Sequence, residues 1–110
     1  GPNGNQTLNT GMTIDGGTGN LYVSTSEPNG ARLWRSTNPD TPNIVDVQWG
    51  AVYQTAPGVN LEVLSSGWSS QADELAIYAN FTKVVENKLT YALYRSLDSG
   101  RTWAPVTITQ

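Results

Sequence analysis

Cysteine and histidine are both missing from the 110 residues. Together the two absences exclude disulfides, thiolate zinc sites, thiol nucleophiles and the commonest general base at neutral pH. Any chemistry must rest on carboxylates, hydroxyls or tyrosines. Charge is scarce as well: six basic against nine acidic residues give a net charge of -3, and neither sign forms a run. The basic stripe that would follow a phosphate backbone is therefore lacking, and no nucleic-acid partner is expected. No apolar stretch approaches the roughly 20 residues that span a bilayer, and the start has neither the basic nor the apolar region of a signal peptide. The chain reads as soluble, without membrane insertion.

The length allows one compact domain at most, burying roughly two thirds of the surface exposed when unfolded. Apolar residues make up 37%, below the roughly 45–50% of ordinary globular domains even with glycine counted separately. Gly, Ser, Thr, Asn and Pro are plentiful instead, a mixture that predicts many short strands joined by turns. Gly1-Pro2 reads as the scar of a removed tag and the residues to Gln6 as a polar lead-in, so residues 1–6 stand outside the fold argument.

Alternation and β-branched or aromatic enrichment predict strands at about Thr7-Ile14, Asn20-Thr25, Ala31-Ser36, Gln48-Thr55, Asn60-Ser66, Glu74-Ala79, Lys88-Ser96 and Thr102-Thr109. No helical periodicity is convincing. Turn chemistry fills the intervals at Asp15-Gly16-Gly17-Thr18-Gly19, Pro28-Asn29-Gly30, Asn38-Pro39-Asp40, Ala56-Pro57-Gly58 and Asp98-Ser99-Gly100.

The chain also repeats itself. Leu21-Tyr22-Val23 is followed by Ala31-Arg32-Leu33-Trp34-Arg35-Ser36, and Leu75-Ala76-Ile77 by Tyr91-Ala92-Leu93-Tyr94-Arg95-Ser96. Leu21 to Leu75 is an offset of 54, Leu33 to Leu93 one of 60, and Trp49 to Trp103 again 54, so the copies differ by compensating insertions in loops. A unit of about 50 residues with four strands and a tryptophan near the fourth fits a β-propeller blade better than half a sandwich. The expected fold is all-β: two four-stranded antiparallel blades, at residues 7–55 and 59–109.

Ser96-Leu97-Asp98-Ser99-Gly100-Arg101-Thr102-Trp103, preceded by Leu93-Tyr94-Arg95, resembles the Asp-box, or bacterial neuraminidase repeat, S-x-D-x-G-x-T-W. Each defining position is filled. The local logic is that a strand ends at Ser96, Asp98 accepts from turn amides, Gly100 takes a backbone conformation costly for other residues, and Trp103 packs beneath the loop. The first copy keeps Ser36 and Trp49 but puts Asn38 at the aspartate position and lengthens the loop by six residues. The resemblance implies a propeller and an extracellular or cell-surface setting. It does not imply a reaction, because the family includes sialidases, sortilin-type receptors, xyloglucan-cleaving hydrolases and bacterial surface proteins. It also implies that Ser96, Asp98, Gly100, Thr102 and Trp103 are structural.

No catalytic residue is assigned. A sialidase needs an arginine cluster, a tyrosine nucleophile with an acidic partner and an acid/base aspartate. Arg35 and Arg95 occupy equivalent places before each loop and read as structural. For a carboxylate-pair glycosidase the available acids are Asp40, Asp46, Asp73 and Glu74, and adjacent Asp73 and Glu74 read as a solvated strand entrance. The Asp15–Asn20 run offers one charged ligand where calcium needs six or more oxygens, so it reads as a glycine turn and neither metal nor cofactor is expected. For carbohydrate, Trp68 in the polar stretch Ser65–Ser70 and Tyr53 are the aromatics best suited to contact a sugar. Asn5-Gln6-Thr7 and Asn80-Phe81-Thr82 match the glycosylation acceptor pattern.

The expected function is a non-catalytic structural, carbohydrate-binding or protein-binding unit; the alternative is a fragment of a glycoside hydrolase, sialidase-like or xyloglucan-cleaving, completed by other blades. Two blades leave bare faces. Two to four copies closing a ring, a parent protein supplying further blades, and a closed two-sheet sandwich are the three ways to cover them.

Overall fold

The computed structural model describes residues 8–107; the polar lead-in and Asn5-Gln6-Thr7 lie outside the described residues. Eight strands follow one another: β1 (Leu8–Ile14), β2 (Leu21–Glu27), β3 (Gly30–Ser36), β4 (Gly50–Gln54), β5 (Asn60–Ser69), β6 (Glu74–Val85), β7 (Lys88–Ser96) and β8 (Ala104–Pro105). They form two four-stranded antiparallel sheets, ordered β1-β2-β3-β4 and β5-β6-β7-β8, and neither sheet closes on itself. Each is a meander, which follows from the short turn-rich links between strands. No helix among the described residues is long and apolar enough to cross a membrane.

The sheets pack face to face through the residues that alternate inward. Tyr22, Ala31 and Leu33 come from the first sheet, and Leu61, Val63, Leu75, Ile77 and Ala79 from the second. Leu33, Leu61 and Ile77 are fully buried, each worth roughly 1.5–3 kcal/mol of transfer free energy. At the outer end a group of rings fills the gap: Phe81 lies 4.4 Å from Tyr94 and 5.5 Å from Trp103, and Tyr53 lies 6.1 Å from Trp103, all tilted. Such pairs add about 0.5–1.5 kcal/mol beyond their area.

At the inner end the edge strands β1 and β5 touch through backbone and hydroxyls. Thr10 donates to the Leu61 carbonyl at 2.6 Å, the Val63 amide donates to Ser24 Oγ at 3.1 Å, and Thr13 and Ser66 share a hydroxyl–hydroxyl bond of 2.7 Å. Gly11 permits this approach. A methyl group there would overlap the Val63 carbonyl and stand 2.9 Å from its nitrogen.

Several strand limits differ from the sequence expectation, each for a local reason. β6 runs on to Val85 because Glu86 and Asn87, at φ 53° and 65°, close a tight hairpin without glycine or proline to mark it. β5 runs on to Ser69, so Trp68 sits on a strand opposite Leu75. β4 starts at Gly50 and β8 at Ala104, because the residues just before each are held in loops. The inserted six residues carry a one-turn 3₁₀ helix, Ile44–Asp46, capped by the Asn43 side chain. Asn80 is half-buried in mid-strand between Glu62 and Leu93. Asp73 is an exposed turn residue at φ 54°, with Glu74 opening β6.

The repeat register shifts by two residues. Ser36 pairs with Leu21, but Ser96 pairs with Ile77, so Ile77 and not Leu75 is the counterpart of Leu21. Tyr22 and Tyr78 then coincide, as do Leu33 and Leu93, and Trp34 and Tyr94.

Replacing Gly11 by alanine is expected to lower stability by about 1–3 kcal/mol. The same change at Gly16, which has open space around it, is expected to be near neutral. Urea unfolding of the two variants checks the difference.

Candidate functional site

The loop from Ser96 to Trp103 is a closed hydrogen-bond system. Ser96, fully buried at the end of β7, accepts from the Gly100 amide at 2.8 Å and donates to Asp98 Oδ1 at 2.7 Å. The same carboxylate oxygen accepts from the amides of Arg101 and Thr102, at 3.1 and 2.8 Å, while Oδ2 accepts from the Thr102 hydroxyl at 2.6 Å. Trp103 folds back and donates from Nε1 to the Gly100 carbonyl at 2.9 Å. Gly100 has φ 95°, and a methyl group there would overlap the Leu33 side chain of the other sheet. The loop thus both ends β7 and seals the space between the sheets.

The Asn38 loop repeats the scheme with an amide. Asn38 Oδ1 accepts from Ser36 Oγ at 3.2 Å and from the Gln48 amide at 2.9 Å. Its Nδ2 donates to the Asp46 carbonyl at 3.1 Å, a bond that a carboxylate could not make and that ties down the inserted 3₁₀ turn. The longer loop and the aspartate-to-asparagine difference therefore belong together.

Partial burial works against ionisation of Asp98. Hydrogen bonds from the Thr102 hydroxyl and amide, the Ser96 hydroxyl and the Arg101 charge outweigh it, lowering the carboxyl from 3.8 to about 2. A carboxylate that accepts four hydrogen bonds within its own loop and holds a strongly acidic proton is poorly suited to general acid/base work at neutral pH. The remaining acids are dispersed. Glu74 is paired with Arg101 at 2.6 Å, Asp15 is held in its turn by Gly17 and Thr18, and Asp46 lies in the exposed 3₁₀ turn. No group of three or more metal-ligating acids occurs among the described residues.

A different surface carries the features of a ligand site. Trp68, 63% exposed, lines a shallow cleft of about 470 Å³ with Ser70, Gln71, Tyr78, Arg95 and Leu97. Strands β5, β6 and β7 supply the floor and wall, and the Ser70–Asp73 turn supplies the polar rim. Arg95 has no ion-pair partner among the described residues, and no carboxylate lines the cleft. Tyr53 is not brought to this surface: its ring lies in the aromatic group between the sheets, 6.4 Å from Phe81. Tyr78 and Arg95 were missed as partners of Trp68 because they lie ten and 27 positions away and meet only through the β5–β6–β7 pairing. The repeat held a signal, since Tyr78 is the half-buried counterpart of buried Tyr22.

No protein-family model, curated protein or solved structure matches the chain.

The depressed Asp98 carboxyl has a defined pH signature. Its stabilisation is complete above the unfolded value, about 3.9, and is lost as pH falls toward the folded value of about 2. Asp98→Asn is expected to lower stability by about 1–2 kcal/mol at pH 7, after allowance for solvent screening. In urea titrations the gap between the proteins should close between about pH 4 and 2; a gap unchanged by pH contradicts the assignment.

Proposed function

We propose that the chain is a pair of Asp-box β-propeller blades serving as a non-catalytic structural and carbohydrate-binding unit. The observation that carries the binding role is the cleft at Trp68. An exposed indole offers a flat apolar face to a sugar ring, and Arg95, Gln71 and Ser70 of the same cleft supply hydrogen-bonding groups. That pairing of a stacking surface with a few polar groups suits a polyhydroxylated ligand better than an apolar one. The blade reading is supported by the two similar meanders, by the serine-anchored loops that end β3 and β7, and by the tight approach of β1 to β5.

The hydrolase alternative has no comparable support. It requires two carboxylates flanking the bound sugar, and the cleft that would receive the sugar is lined by none. Asp98, the aspartate of the motif, is engaged in holding its own loop.

A panel of immobilised oligosaccharides, followed by calorimetric titration of any that bind, checks this reading. Trp68→Ala is expected to weaken binding about tenfold or more, equivalent to about 1.4 kcal/mol, and Arg95→Ala to weaken it less, with folding unchanged in both. Binding unaffected by Trp68→Ala, or no oligosaccharide bound by the parent protein, overturns the carbohydrate role.

A further inference from the structure

The contact between the sheets is head-to-tail: the face of the first sheet that meets the second is not the counterpart of the face it meets. On the first sheet the inward residues are Tyr22, Ser24 and Leu33. Their repeat counterparts, Tyr78, Asn80 and Leu93, lie on the open side of the second sheet. On the second sheet the inward residues are Ile77, Ala79 and Tyr94, and their counterparts, Leu21, Val23 and Trp34, lie on the open side of the first. The chain therefore leaves without a partner sheet the two complementary halves of the interface it already makes internally, with Val23 7% exposed and the other five residues half-buried.

We infer that these two faces dock onto each other between copies of the chain, the open side of the second sheet seating on the open side of the first sheet of the next copy. The occupant is a second copy because the internal interface is the template, and a head-to-tail contact of this kind closes into a ring or continues as a filament. The inner strands carry it. Met12 and Ile14, 62% and 58% exposed, stand on the open face of β1 beside Val23 and Leu21. Thr13, which bonds Ser66 across the internal interface, has Ser65 as its counterpart, and Ser66 has Ile14, so Ser65 of one copy meets Ile14 of the next. Farther out, the first sheet's open face turns polar: Glu27 pairs with Arg32 at 3.1 Å and Thr25 accepts from Trp34 Nε1 at 2.9 Å. The contact accordingly concentrates on β1 and β5. Arg35, the counterpart of Arg95, stays exposed in the internal interface, whereas Tyr22, the counterpart of Tyr78, is 2% exposed, so assembly leaves Arg95 on the rim and covers the Tyr78 wall of the Trp68 cleft.

The inference rests on the blade reading, and light scattering coupled to size exclusion over the micromolar to millimolar range tests it. A discrete mass of about two to four chains is expected, because propellers close at roughly 4–8 blades. A folded monomer throughout overturns it, while leaving the oligosaccharide titration to judge the binding role. Met12→Glu and Ser65→Arg change exposed side chains on opposite faces, and circular dichroism confirms that each variant is folded. Each alone should be monomeric. Mixed together they should form a one-to-one pair, since one copy keeps an intact first-sheet face and the other an intact second-sheet face. If Met12→Glu is monomeric but Ser65→Arg still assembles, like faces meet like and the head-to-tail contact is wrong.

Discussion

The edge strands β1 and β5 approach each other without a full layer of side chains between them, and the rest of the packing depends on that approach. An edge strand ordinarily leaves a row of backbone groups unpaired. Here the Ser24 hydroxyl takes the Val63 amide and the Thr10 hydroxyl reaches the Leu61 carbonyl, so two backbone groups of β5 are satisfied from the opposite sheet. Small and hydroxylated residues are needed for this, and β1 supplies Thr10, Gly11 and Thr13 within four positions. The sheets are close at this end and wider at the other, where Tyr53, Phe81, Tyr94 and Trp103 fill the gap. A polar, tightly joined end and an aromatic, open end together give the sheets a wedge relation.

The serine-anchored loops fix the wide end. Ser96 and Ser36 are both fully buried, and each holds a side-chain carbonyl or carboxylate that gathers the amides of the following turn. In the second sheet this places Gly100 over Leu33, so that the loop becomes part of the core between the sheets. Removing the Asp98 charge would therefore act at the interface as well as in the turn. The carboxylate accepts four hydrogen bonds, three of them on Oδ1, all from within its own loop.

Much of this was legible in the sequence. All eight strands, the sheet-forming halves, the loop bonds around Asp98 and the glycine turn at Asp15 follow from alternation and turn chemistry read locally. What escaped was set by pairing. Leu21-Tyr22-Val23 and Leu75-Ala76-Ile77 look alike, yet the ladder aligns Leu21 with Ile77, because the partner serine and not the local triplet fixes the register. The Glu86-Asn87 hairpin carries no glycine or proline, so nothing stopped β6 short in composition, and its positive φ values come from the strand pairing on both sides. Trp68 and Tyr53 are equally aromatic in sequence; only the stacking of the sheets commits Tyr53 to the interior and leaves Trp68 on the surface. Tyr78 and Arg95 join Trp68 through two successive strand pairings that no short window contains.

Hydrogen exchange at the Val63 amide tests the central claim most directly. That amide belongs to an edge strand and donates across to Ser24 Oγ, so its protection reports the union of the two sheets and not the integrity of either one. Exchange is expected only through global unfolding, at a rate matching the buried amides of β6. Exchange at the rate of an exposed edge strand, while β6 remains protected, would mean that the sheets part readily, and would contradict the close approach of β1 and β5 on which the fold is argued to depend.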